Sequence, residues 1–174
     1  MSLAGKKVLV LTANYFEESE LIYPVYRLRE EDAEVTVASP DGAALTGKNH
    51  MSPFPVDASY DDLDAGSFDA VIVPGGFAPD LVRRFPKALQ LVREIDAAEK
   101  PVATVCHGGW VAISAGIVEG RKATSVSAIK DDMVNAGVNF VDEAVVVDGN
   151  LITSRVPADM GPWMKAVIEA IRTA

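Results

Sequence analysis

The sequence predicts an α/β fold in one domain, residues 1–174, built as a mostly parallel central sheet with helices on both faces. Short apolar runs recur along the chain: KVLVLT (7–12), EVTVA (34–38), AVIVP (70–74) and PVATV (101–105). Amphipathic segments of helical period separate them, as parallel strands joined by helical crossovers require. Two of the runs lead into PGG and CHGG, glycine-bearing strand ends of the kind that line ligand crevices in open α/β sheets. At 174 residues the chain is long enough to bury a sizeable core without disulfides or a structural metal.

After the first strand, ESELIYPVYRLREE places Leu21, Ile22, Val25 and Leu28 on one helical face, with Pro24 in its early turns. The second strand closes on the turn signal SPDG, and residues 45–65 read as a short strand or ribbon plus loops. AVIVP is a continuous apolar run suited to a strand buried on both faces. APDLVRRF and PKALQLVREIDAAEK form one interrupted helix or two, stopped by Lys100-Pro101 ahead of the PVATV strand. HGGWVAISAGIV supplies a helix ending near Gly116, and KATSV a short strand. Ser127 is expected to cap the helix AIKDDMVNA, which Gly137 terminates. EAVVVDGNLITS is a hairpin turning at Asp148-Gly149, and ADMGPWMKAVIEAIRT closes the chain as a helix.

Composition excludes several classes of function. The net charge of −9 opposes attraction to phosphate backbones, and no basic cluster with interleaved aromatics is present, so no dedicated nucleic-acid binding is expected. No apolar run approaches the roughly 18 residues of a membrane span. The run Val8 to Leu11 is too short for a signal-peptide core. A single cysteine cannot form an internal disulfide, which fits a reducing, cytoplasmic location. HExxH, CxxC, P-loop and GxGxxG patterns are all missing, so no metal or nucleotide cofactor is expected.

That cysteine, Cys106, ends the PVATV strand and is followed by His107, Gly108 and Gly109. A lone cysteine at a strand end is often a buried apolar filler. A sharp strand-to-helix turn would instead lift its thiol into a cleft, and the glycines let backbone approach closely. Unpaired N–H groups of the helix beginning near His107 favour thiolate there. With those of Gly75 and Gly76 opposite, they form a candidate oxyanion hole, and Gly108 belongs to the same close-approach surface. His50 reads as a loop surface residue.

LTANYFEESELIYPVYRL, PGGFAPD, KPVATVCHGG, ISAG, GRKATS, IKDDMVNAGV and VVVDGNLITSRVPAD together resemble the PfpI (ThiJ/PfpI) family of intracellular cysteine peptidases and deglycases. That family belongs to the superfamily of the Parkinsonism-associated deglycase. The resemblance implies a three-layer sandwich, flavodoxin-like or class I glutamine amidotransferase-like, and covers nearly the whole chain. It makes Cys106 the nucleophile, His107 its adjacent base and Glu17 the glutamate that hydrogen-bonds the cysteine. Asp80, in PGGFAPD, takes the place of the family's acid that orients the histidine across a subunit interface, one methylene shorter than the usual glutamate. A homo-oligomer follows, at least a dimer and up to a hexamer. Arg155 matches a family position near the sheet's carboxyl end, with a structural role as the simpler reading. Gly109-Trp110 departs from the proline and polar residue common in relatives.

The implied activity is that of a cofactor-independent cysteine hydrolase acting on a small aldehyde or a glycated protein or peptide, through deglycation, hydration of methylglyoxal to lactate, or peptide cleavage. A stress-response redox sensor working through oxidation of Cys106, and a noncatalytic oligomeric scaffold, are the alternatives.

Overall fold

In the computed structural model, which describes residues 2–51 and 53–174, a seven-stranded sheet forms the middle layer. Its strands are β1 (Lys7–Leu11), β2 (Glu34–Ser39), β3 (Ala58–Ser59), β4 (Ala70–Val73) and β5 (Val102–Val105), with β8 (Val145–Asp148) and β9 (Leu151–Ser154). Two further strands, β6 (Lys122–Ala123) and β7 (Asn139–Phe140), pair only with each other. The helices are α1 (Glu18–Glu30), α2 (Ala78–Val82), α3 (Pro86–Ala97), α4 (Gly109–Ala115), α5 (Lys130–Asn135) and α6 (Met160–Thr173).

The sheet runs β3-β2-β1-β4-β5-β9-β8, and every pairing is parallel except that of β8 with β9. After β1 the chain steps outward through β2 to β3; after β4 it steps the other way, through β5 to β9. Right-handed crossovers in opposite directions place their helices on opposite faces. Accordingly α1 packs with α6, whereas α3 packs with α4. The reversal opens a crevice at the carboxyl ends of β1 and β4, beside the end of β5.

Strands covered on both faces must be apolar throughout, and β4 and β5 are buried along their whole length. Helix α6 turns Trp163, Met164, Val167, Ile168 and Ile171 inward at three- and four-residue spacing. Trp163 is fully buried, with its indole N–H donating to the Ile152 carbonyl. At the hairpin, Gly149 takes φ +60°, as its turn signal predicts.

Two sequence expectations change. KATSV contributes only Lys122 and Ala123 to a strand, which pairs with β7 instead of joining the main sheet. Ser127 opens a 3-10 turn, Ser127–Ile129, and its side chain caps nothing. The described part of 45–65 is the expected short strand and ribbon with loops: it holds the bridge Leu45 to Phe54, the short edge strand β3, the 3-10 turn Tyr60–Asp62 and the start of another at Ala65. Among the described residues no helix is long and apolar enough to cross a membrane.

Candidate active site

Val105 ends β5 in extended backbone (φ −135°, ψ 147°), and Cys106 turns abruptly to φ +59° before the 3-10 turn Cys106–Gly108 leads into α4. A left-handed conformation is costly for any residue with a Cβ and persists only where surroundings impose it. Gly108 accounts for part of that imposition: a Cβ there would sit 2.5 Å from the Val73 carbonyl oxygen. The turn is pressed against the end of β4. Gly108 thus serves close packing of the elbow, a close approach of backbone of the kind expected from sequence.

On one side of the thiol stands His107, with Nδ1 3.3 Å from the Cys106 sulfur. Adjacent side chains diverge on regular structure, and the bend at residue 106 is what brings these two together. Burial, followed by the positive charge of Lys48, holds the imidazole below its ordinary pKa. A neutral ring can accept the thiol proton at Nδ1 or donate to the thiolate, according to tautomer.

On the other side is Glu20, which the sequence reading passed over. Its side chain is fully buried, and Oε2 accepts the Gly75 N–H at 2.8 Å. The second oxygen, Oε1, has no conventional hydrogen-bond partner among the described residues, and the carboxyl interacts with the Cys106 thiol. Burial raises its pKa to about 7, against the opposing Gly75 N–H. Glu20 lies on the face of α1 that also buries Leu21, Pro24, Val25 and Leu28. An acidic residue on an apolar helical face was the signal available in the sequence.

Glu17, expected to face the cysteine, is turned elsewhere. It occupies the N-cap of α1 in extended backbone (φ −74°, ψ 119°), and its carboxylate meets Lys48 Nζ at 2.5 Å and the Ser19 hydroxyl at 2.9 Å. Burial pushes its pKa up, but the bonds to Lys48 and Ser19 outweigh this and hold it below the ordinary value. Three residues along the same helix start, the direction of the side chain decides which glutamate meets sulfur. Lys48, from an irregular loop with no motif, carries no sequence signal; Asn49, next to it, is clamped by both Glu18 carboxyl oxygens.

The expected oxyanion donors divide. The Gly75 N–H is spent on Glu20, whereas those of Gly76 and His107 reach the Cys106 sulfur and favour its anion. Gly76 adopts φ +75°, and a Cβ there would lie 2.3 Å from the Glu17 nitrogen; only glycine lets the two crevice loops touch. Burial nonetheless pushes the Cys106 thiol up to about 12, with the Glu20 charge adding to it. This corrects the expectation of a thiolate set by the helix start: two donors in a buried site do not offset burial together with a carboxylate neighbour.

Asp80 is partly exposed on α2 and pairs with Arg84, not with His107, within the chain. His50 lies on the loop at φ +60° and is exposed. Arg155 is held by Asp159 at 2.9 Å and Asp142 at 2.8 Å, as its structural reading anticipates. Among the described residues no group of three or more His, Cys, Asp or Glu side chains is gathered as a metal site.

The DJ-1/PfpI family model matches residues 6–170. Deglycase PH1704 of Pyrococcus horikoshii is 50% identical over 166 residues, 95% of this chain and 99% of that protein. Deglycase PfpI of Pyrococcus furiosus is 47% identical over the same shares. The crystal structure of a two-domain protein from Anabaena variabilis, containing DJ-1/ThiJ/PfpI-like and ferritin-like domains, superposes with a TM-score of 0.92 at 40% identity; the match covers 94% of this chain and 47% of that one. Strand order, elbow and sequence agree that the chain belongs to the DJ-1/PfpI family.

Proposed function

We propose that the protein is a cofactor-independent cysteine hydrolase acting as a deglycase or aldehyde hydratase. The observation that carries this reading is the placement of Cys106 at φ +59°, with a buried carboxyl on one side and an imidazole nitrogen 3.3 Å away on the other. Relatives named deglycase, one of them half identical to this chain, support the substrate class.

In the proposed reaction the thiol proton passes to Glu20 or to His107 Nδ1, and the sulfur bonds to the carbonyl carbon of an aldehyde or a glycation adduct. The carbonyl π electrons move to oxygen, which can take the Gly76 and His107 N–H groups as donors once the sulfur has bonded to carbon and given up its charge. With methylglyoxal no group departs: Glu20 or His107 moves the proton of the sulfur-bearing carbon to the neighbouring carbonyl carbon, so that the first carbon is oxidised and the second reduced. Water then adds to the resulting lactoyl thioester and breaks its carbon–sulfur bond. With a glycated amine the proton held by Glu20 or His107 goes instead to the departing amine. A carboxyl with pKa near 7 suits an acid–base partner working at neutral pH. Asp80, paired with Arg84 in its own chain, would reach a histidine only from a second copy, so a homo-oligomer belongs to this proposal, as does a cytoplasmic location.

The test compares wild type with Cys106→Ala in methylglyoxal consumption, release of free amine from a glycated lysine peptide, and cleavage of an unmodified peptide. The first two activities are expected to vanish in Cys106→Ala. Equal rates for the two proteins in all three assays would remove the enzymatic reading.

A further inference from the structure

Among the described residues no carboxylate bonds His107 and nothing hydrogen-bonds its Nε2. An imidazole used as a base needs its ring held, since the orientation decides which nitrogen meets the reacting proton. What touches the ring is Trp110, with centroids 5.1 Å apart and planes at 61°, an edge-to-face contact.

The indole is itself fixed from three directions. Its N–H donates to Asp132 Oδ2 at 2.7 Å, from α5. The Arg83 guanidinium lies over the ring, 5.5 Å from its centroid, and is anchored in turn by its Nε–H on the Ser114 hydroxyl at 2.9 Å. Under the indole, α4 is packed tightly on α5, since a Cβ on Gly109 would come within 2.9 Å of the Met133 sulfur. Trp110 has a polar face toward Asp132, a cation above it and an imidazole at its edge. A core-filling role would need none of these.

We propose that Trp110 is a positioning residue, locked by Asp132 and Arg83, whose indole holds the His107 ring with Nδ1 aimed at the Cys106 sulfur. The assembly acts on the ring from within one chain, alongside the Asp80 that a second copy would bring in the proposed oligomer, and it rests on the proposed role of His107 as proton carrier. Lys48 is the other charged group bearing on the ring, and it acts through its field without fixing orientation.

The experiment uses the full chain with Trp110→Leu, Trp110→Phe and Asp132→Ala, and has two readouts. In turnover of methylglyoxal, Trp110→Leu is expected to lower kcat about tenfold with KM within about twofold. Trp110→Phe, which keeps an aromatic edge, should recover to within about threefold of wild type, and Asp132→Ala should fall between them. In the second readout, independent of activity, tryptophan emission is titrated with pH. Trp110 fluorescence should fall as His107 protonates, and the step should be missing in His107→Gln, with buried Trp163 a constant background. Wild-type kcat in Trp110→Leu, or an emission titration unchanged in His107→Gln, overturns the proposal. A wild type without turnover that still shows the His107-dependent emission step would sink the enzymatic reading alone and leave Trp110 coupled to the imidazole.

Discussion

Glu20 and Cys106 meet across the backbone of Gly75. The Gly75 N–H is bound to the Glu20 carboxyl at 2.8 Å, and a Cβ on Gly75 would lie 2.5 Å from Glu20 Oε2 and 2.7 Å from the Cys106 Cβ. No side chain fits between the two groups. Two anions at this separation in a buried site are costly, so the pair holds one proton over a wide pH range. The reactive form has that proton on Glu20 and the negative charge on sulfur, under the Gly76 and His107 N–H groups. Such a pair titrates as a unit.

The rate of Cys106 alkylation by iodoacetamide should therefore rise in two steps, the first near pH 7 where the pair loses its first proton. Glu20→Gln cannot take up the thiol proton, so its profile should lack the first step and climb only at high pH. Stopped-flow alkylation from pH 5 to 10 checks this. A first step surviving in Glu20→Gln would assign it to another group.

Glu17 and Lys48 act on the same pair only through their fields. The Glu17 charge pushes the Glu20 pKa up and the Lys48 charge pulls it down. Glu17→Gln should thus move the first alkylation step to lower pH, and Lys48→Met should move it higher. Rates at pH 7 should change by less than about fivefold, the scale of a partly exposed ion pair worth under about 1 kcal/mol. Loss of the step in Glu17→Gln would restore Glu17 to the role that the family resemblance implied.

The elbow was legible in the sequence because strand ends are written there: PVATV must be buried on both faces, and CHGG cannot continue it as a regular strand. The crevice was legible for the same reason, since PGG ends the neighbouring strand. Glu20 was not found because matching the motif ANYFEE fixes a region and leaves open which of Glu17, Glu18 and Glu20 points inward; only helical phase against Leu21 and Leu28 decides that. Lys48 was out of reach, since its loop is placed by long-range contacts such as the bond from its own N–H to the Phe16 carbonyl. The pairing of β6 with β7 has the same character, joining two-residue strands 17 positions apart.

The backbone at Cys106 offers a test free of chemistry. With φ at +59°, a Cβ costs conformational energy that glycine does not. Cys106→Gly and Cys106→Ala should both be inactive. The glycine variant should be the more stable by about 1 kcal/mol, read as a higher urea midpoint at equal slope. Equal midpoints would show that the surroundings relieve the strain without help from residue type.

Burial of Glu20 also sets how stability depends on pH. Its pKa rises from 4.5 in the unfolded chain to about 7 in the folded one, so between these values the folded state keeps a proton that the unfolded state has released. The contribution to stability is fully present below pH 4.5 and is lost as pH rises to about 7, beyond which it is constant. At about 1.4 kcal/mol per unit the loss is of order 3 kcal/mol. Glu20→Gln carries no such proton, and its amide can still accept the Gly75 N–H. Urea denaturation at pH 4.5 and pH 8 should show wild type losing this stability relative to Glu20→Gln, with the variant the more stable at pH 8. A parallel decline in both proteins would mean that Glu20 is ionised in the folded state well below pH 7, and the shared-proton account of Cys106 would fall with it.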